Sequence, residues 1–199
     1  MVSIKPIKLS GNWTQGYALD IHTVDSKFIG YAEYGHEVFD TKRSKIGDLL
    51  YRLKYKSDKT ALDDIIDTVA NFIKNRWKVF DDIAAIIPIP PSRNRTFQPV
   101  LKITKGLSSY LNIPIHDEVL IKTKNTPELK DVYEYEKRMK LLKNAFSVYG
   151  KILNGKNILL IDDLYRSGAT LNAVTEMLYK QGSVRNVYVL TLTKTRSKT

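Results

Sequence analysis

Two adjacent carboxylates, Asp162 and Asp163, stand just ahead of Ser167, Gly168 and Thr170, and this is the grouping in the chain best suited to chemistry on a phosphorylated ligand. The acids can accept hydrogen bonds from sugar hydroxyls, while the hydroxyls and amides that follow can donate to a phosphate. Gly168 lets the backbone approach a ligand closely. Amides that open a helix carry the positive end of its dipole and suit an anion. Acceptors beside an anion cradle match a phosphorylated ribose. The same residue types also suit an ordinary strand-to-helix turn, because Asp and Ser are favoured helix caps.

The elements that must hold these residues are legible on either side. Ile158, Leu159, Leu160 and Ile161 form a continuous apolar run, the pattern of a strand buried on both faces. Leu171, Val174, Met177 and Leu178 recur at helical spacing. A strand, a polar loop and a helix therefore deliver both acids to the carboxyl edge of a sheet, where open α/β folds bind ligands.

A second approach to that edge comes from residues 83–87, an apolar strand running into Pro88-Ile89-Pro90-Pro91-Ser92-Arg93-Asn94-Arg95. Proline cannot continue a central strand, so the chain leaves the sheet here with a stiff backbone. Pro90, Pro91, Ser92, Arg93 and Arg95 are then placed to meet a pyrophosphate, with a proline-rich connection bearing exposed arginines as the alternative. Val100, Ile103, Leu107, Tyr110 and Leu111 predict a helix directly afterwards.

Residues 119–121 read as a short strand and residues 144–148 as another. Between them the chain is rich in charge, contains Pro127 and lacks a convincing period. A connection of that length is commonly a functional loop or a floppy one. Residues 122–138 are expected to act as a flexible lid carrying Lys124, Lys130 and Arg138.

Near the amino terminus Tyr17, Leu19, Ile21 and Thr23 alternate with polar or small residues, which predicts a half-buried strand. With a turn at Asp25-Ser26 and a return over residues 28–34, it is expected to form a hairpin. Asp20, His22 and His36 lack metal-ligand spacing and read as hairpin surface. Ser44 caps a helix bearing Ile46, Leu49, Leu50 and Leu53 on one face. Its other face gathers Lys42, Arg43, Lys45, Arg52, Lys54 and Lys56 around Tyr51 and Tyr55, either a solvated surface or one that stacks and pairs with single-stranded nucleic acid. A second helix over residues 62–77 carries Leu62, Ile65, Ile66, Val69 and Ile73, with Thr60 as its expected cap. Residues 1–80 thus read as an accessory hood of hairpin and helices, residues 81–193 as an α/β core and residues 194–199 as a basic tail. Strands near residues 83, 118, 145, 157 and 187 supply the core sheet. Those at 145 and 157 lie too close for a crossover helix and suggest an antiparallel pair around Asn154-Gly155.

Composition narrows the partners. A formal net charge of +11 favours polyanions, which a phosphorylated substrate satisfies and nucleic acid would also. The chain has no cysteine, consistent with a reducing cytoplasm and excluding disulfides and thiolate zinc sites. No apolar run approaches the ~18 residues of a membrane span, so a soluble, cytoplasmic protein is expected. Oligomeric state is not legible.

Residues 157–171 resemble the phosphoribosyl-pyrophosphate signature of type I phosphoribosyltransferases, in which a hydrophobic strand, two acids and a Thr/Ser/Gly-rich loop follow in order. Asp162, Asp163, Ser167, Gly168 and Thr170 match it, whereas Arg166 stands where a small hydroxyl residue is usual. Pro88-Ile89-Pro90 with its arginines and Phe97, then Arg138, Asn144-Ala145-Phe146 and the acid motif, resemble the ComF-type branch associated with bacterial competence, over about residues 80–193. Two departures are Arg95-Thr96-Phe97-Gln98, where an arginine-glycine-phenylalanine-asparagine run is usual, and the absence of an amino-terminal cysteine zinc module.

The resemblance implies an α/β fold, a mostly parallel twisted sheet flanked by helices, with an N-terminal hairpin/helix hood. It also implies transfer of phosphoribose from phosphoribosyl pyrophosphate to a nitrogen acceptor, a nucleobase among the candidates. Asp162 and Asp163 would be the catalytic acids, and Leu164, Tyr165, Arg166, Ser167, Gly168, Ala169 and Thr170 the 5-phosphate loop. Mg2+ would be carried mainly by the ligand, with Asp162 and Asp163 as its candidate protein ligands. Two other classes stay open: a non-catalytic sensor of phosphoribosyl pyrophosphate or a nucleotide, and an accessory of DNA uptake that binds single-stranded DNA.

Overall fold

A computed structural model describes residues 1–56, 58–77, 79–91, 96–124 and 134–196. In chain order these form β1 (Ile7–Lys8), β2 (Gln15–Ile21), β3 (Thr23–Tyr31), β4 (Glu37–Arg43), α1 (Lys45–Tyr55), α2 (Thr60–Asn75), β5 (Ala85–Pro88), α3 (Pro99–Leu111), β6 (Leu120–Lys122), α4 (Tyr135–Leu142), β7 (Phe146–Val148), β8 (Asn157–Tyr165), α5 (Ala169–Lys180) and β9 (Asn186–Lys194).

The apolar run ahead of the acid pair lies inside a five-stranded sheet of order β1-β2-β9-β8-β5. The last four of these strands run parallel, and β1 joins the edge antiparallel. Because successive strand side chains point to opposite faces, the apolar runs feed two cores. Leu159, Ile161, Leu190, Leu192, Ile86 and Leu19 pack with Leu50 and Leu53 of α1, Ile65 and Ile73 of α2, and Ile103 and Leu107 of α3. Ile158, Leu160, Val187, Val189, Ile87 and Ala18 pack with Leu171, Val174 and Leu178 of α5. Helices thus cover both faces, the condition under which a parallel sheet is stable.

The amino-terminal region departs from the expected hood. The strand read at residues 17–23 is β2, and it enters the central sheet beside β9, with Ala18 and Leu19 wholly buried. Its alternating pattern signals one covered face, but β2 is covered on both. The hairpin instead pairs β3 with β4, and Asp25 and Ser26 lie within β3 rather than at a turn. Its register sets Asp25 opposite Lys42, Lys27 opposite Asp40 and Phe28 opposite Phe39. Helices α1 and α2 share a core with the sheet.

Three local expectations also change. β7 pairs antiparallel with β6, with Leu120 opposite Val148, and does not form a hairpin with β8. Asp58, rather than Thr60, serves the start of α2: its Oδ1 accepts from Thr60 N and Oγ1 at 2.9 and 2.6 Å. Part of the expected 122–138 loop is regular structure, ending in α4.

Candidate functional site

β8 continues through Asp162 and Asp163 to Tyr165, registered against Thr191 and Thr193 of β9. The strand ends there because Gly168 turns the chain with φ 78° and ψ −2°, a left-handed conformation that opens α5. A side chain at this position would also meet Tyr165, whose Oη lies 2.9 Å from where a Cβ would stand. Backbone geometry and close approach therefore both select glycine. Ser167 Oγ accepts from Ala169 N at 3.4 Å, beside the first free amides of α5.

From the other side α4 brings Arg138, which is only 5% exposed, and its Nη1 donates to Ser167 Oγ at 3.1 Å. Burial, then repulsion from Arg166, lowers the Arg138 pKa from its ordinary value, although a guanidinium stays charged at neutral pH. Arg138, Asp162 and residues 164–171 line one concavity. It combines cationic, hydroxyl and amide donors with a carboxylate at its rim, an arrangement that can hold a phosphate next to a sugar diol.

The two acids differ in environment. Asp162 is pushed up to about 7 by burial and then by the charge of Asp163, against the opposing hydrogen bond from Asp163 N to its Oδ1 at 2.8 Å. Asp163 forms an ion pair with Lys54 of α1, Nζ to Oδ2 2.5 Å. Its carbonyl accepts from Thr193 Oγ1 at 3.1 Å, and that hydroxyl lies 3.1 Å from His22 Nδ1 on the segment following β2. Burial, Lys54 and Arg43 lower the His22 pKa, so the imidazole is neutral at pH 7.

One concavity gathers Asp162 with Leu164 through Thr170, while Asp163 pairs with Lys54. β5 runs parallel to β8 with Pro88 opposite Ile161, so Pro90 and Pro91 leave the sheet at the same edge as the acids. Ser92, Arg93, Arg95 and Lys130 lie outside the described residues. Lys124 is exposed just beyond β6. Arg138 is a correction: expected on a flexible lid, it is a buried residue of a helix, bonded to Ser167 in the loop that opens α5. Its position is set by burial of α4 against α5, which charge-rich sequence around it does not advertise.

Lys54 and Asn172 were not singled out for the site by sequence. Lys54 looked like one more charge on a solvated helix face. Asn172, 8% exposed on α5, accepts from Asn12 N at 2.8 Å and donates to Tyr135 Oη at 2.9 Å, tying α5 to α4 and the amino-terminal segment. Among the described residues no three His, Cys, Asp or Glu side chains gather as a metal site. The acid pair offers carboxylate oxygens suited to Mg2+ only if a ligand's phosphates and water supply the rest of its shell.

No protein-family model matches the chain. It is 30% identical over 155 residues to Competence protein ComFC of Bacillus subtilis (strain 168), covering 76% of this chain and 61% of that protein. It is also 30% identical over 104 residues to Competence protein F of Haemophilus influenzae, covering 49% and 45% of the two chains. The chain thus spans about three fifths or less of the length of these curated relatives. Among solved structures, the glutamine phosphoribosylpyrophosphate amidotransferase of B. subtilis, complexed with ADP and GMP, superposes with a TM-score of 0.50 at 14% identity. That superposition covers 80% of this chain and 34% of the other. The fold is that of the type I phosphoribosyltransferases. By sequence the chain is similar to the two competence proteins over part of their length.

Proposed function

We propose that the chain binds phosphoribosyl pyrophosphate at the carboxyl edge of its sheet and transfers the phosphoribosyl group to a nitrogen acceptor. The observation that carries this reading is the convergence of buried Arg138, Ser167, left-handed Gly168 and the start of α5 on one concavity beside two carboxylates. The 5-phosphate takes the donors of residues 164–170. Asp162 and Asp163 hold the ribose hydroxyls. Pyrophosphate points toward Pro90 and Pro91, and the assignment of Ser92, Arg93 and Arg95 to it rests on their sequence position.

In the transfer, the bond from the anomeric carbon to the pyrophosphate oxygen breaks and its electron pair leaves with pyrophosphate. The acceptor nitrogen forms the new bond and then releases its proton. No side chain need act as a nucleophile; the site orients the sugar, steadies charge and excludes water. Magnesium, held by the ligand's phosphates with Asp162 and Asp163 as protein oxygens, would neutralise charge on the leaving group. A cytoplasmic location belongs to this reading. No helix among the described residues is long and apolar enough to cross a membrane.

The test is calorimetry with phosphoribosyl pyrophosphate and Mg2+, together with pyrophosphate release in the presence of pooled nitrogen acceptors. Acceptor-dependent release supports transfer. Tight binding without turnover indicates a sensor, and no binding rejects the site.

A second reading, handling of single-stranded DNA, is favoured by the competence names of both relatives and by the α1 surface. There the Tyr51 and Tyr55 rings lie 5.2 Å apart, with the Arg43 guanidinium 3.8 Å over Tyr51. Such a cationic, aromatic surface can stack bases and pair phosphates. Salt-sensitive oligonucleotide binding that Tyr51→Ala and Tyr55→Ala abolish would support it.

A further inference from the structure

The side chain that reaches the acid pair from outside the strand-loop-helix motif is Lys54. Its helix is fastened at the opposite end: Ser44 Oγ donates to Ile21 O at 2.5 Å and accepts from Gly47 N at 3.1 Å. Gly47 itself packs so closely that a Cβ would lie 2.5 Å from the carbonyl oxygen of His22. Ile46, Leu49, Leu50 and Leu53 bury the apolar face of α1 against the sheet. With both ends of the stripe anchored, Lys54 in the last turn extends over the carboxyl end of β8. Its side chain is 18% exposed and that of Asp163 22% exposed, so their 2.5 Å contact is shielded from solvent on most sides.

We propose that Lys54 is a positioning residue of the sugar-binding site, holding the Asp163 carboxylate in one orientation so that the acid pair can accept hydrogen bonds from a ribose. The proposal rests on the reading of this edge as a phosphoribosyl site. Two adjacent carboxylates at one strand end repel each other, and burial adds to the cost of ionising both. A cation in contact with one of them offsets that repulsion.

Lys54 is a cation whose ion pair reaches Asp163 directly. α1 contributes Lys54. The end of β2 contributes His22, whose neutral form burial favours, and β9 contributes the Thr193 hydroxyl on the Asp163 carbonyl. Arg43 of β4 acts on His22 and stacks on Tyr51. On the β5 side the neighbours are Pro88 and Ile89, which carry no charge.

The experiment compares the unaltered chain with Lys54→Met and Lys54→Arg, each checked for folding by circular dichroism. For Lys54→Met, calorimetry at pH 7 should show ribose 5-phosphate binding weakened about tenfold or more, a loss of the size expected for a charge-assisted contact. Inorganic phosphate, which meets Arg138 and the 164–170 loop but not the acid pair, should bind almost unchanged. Lys54→Arg should restore ribose 5-phosphate binding.

Unchanged ribose 5-phosphate affinity in Lys54→Met, equal loss of both ligands, or no recovery in Lys54→Arg overturns the proposal and leaves the functional reading standing. Failure of the unaltered chain to bind ribose 5-phosphate sinks the functional reading, and the proposal with it.

Discussion

Arg138 Nη1 stands 3.1 Å from Ser167 Oγ, so a guanidinium buried in α4 meets the loop that opens α5. That guanidinium, the Ser167 hydroxyl and the opening residues of α5 line one concavity. Replacing Arg138 with Met should weaken inorganic phosphate and ribose 5-phosphate alike, by about ten- to a hundredfold, the range of a charge-assisted hydrogen bond. Calorimetry with each ligand measures this, and unchanged affinity for both would remove Arg138 from the site.

Gly168 is under two constraints, positive φ and contact with Tyr165. Gly168→Ala should destabilise the fold by about 1–3 kcal/mol and displace the start of α5. Denaturant unfolding gives the first quantity and phosphate affinity reports the second. A variant with native stability and native affinity would show that the loop tolerates another backbone geometry.

Asp162 makes stability depend on pH in an unusual direction for an acid. Its folded pKa of about 7 lies above the ordinary 3.8, so between those values the folded chain retains a proton that the unfolded chain has released. This contribution is present below about pH 4 and is lost as pH rises to about 7. Asp162→Asn removes the dependence. The variant should gain stability relative to the unaltered chain as pH rises from 4 to 8, the gain levelling off above the folded pKa. Thermal melts across that range provide the check, and a constant difference between the two would refute the assignment.

Asn172 joins three segments through its amide, accepting from Asn12 N and donating to Tyr135 Oη. Asn172→Ala leaves the Asn12 amide and the Tyr135 hydroxyl short of partners at the cost of about 1–3 kcal/mol. Hydrogen exchange should rise in α4 and in residues 11–14, more than in β8 and β9. Uniform change across the chain would mean that Asn172 serves general packing rather than this junction.

Sequence alone determined the motif that carries the site. The apolar run of β8, the acids at its end, the glycine at the turn and the stripe of α5 are encoded by local periodicity and by the conformational demands of single residues, which do not need the rest of the chain. The same holds for α1 with its Ser44 cap and for α3 after its proline. Tertiary structure alone decided which distant residues join them. β2 reads as half of a hairpin because alternation cannot reveal a second covered face, yet its neighbour is β9, from the other end of the chain. β6 chooses β7 over any local partner. Lys54 reads as a solvated charge and Arg138 as part of a flexible lid, since a lysine or arginine on a helix has the same spacing whether it faces water or a site. Only packing of α1 on the sheet and of α4 on α5 brings one to Asp163 and the other to Ser167. Such long-range placement is fixed by burial of whole elements, and that information is spread over the two cores rather than written beside either residue.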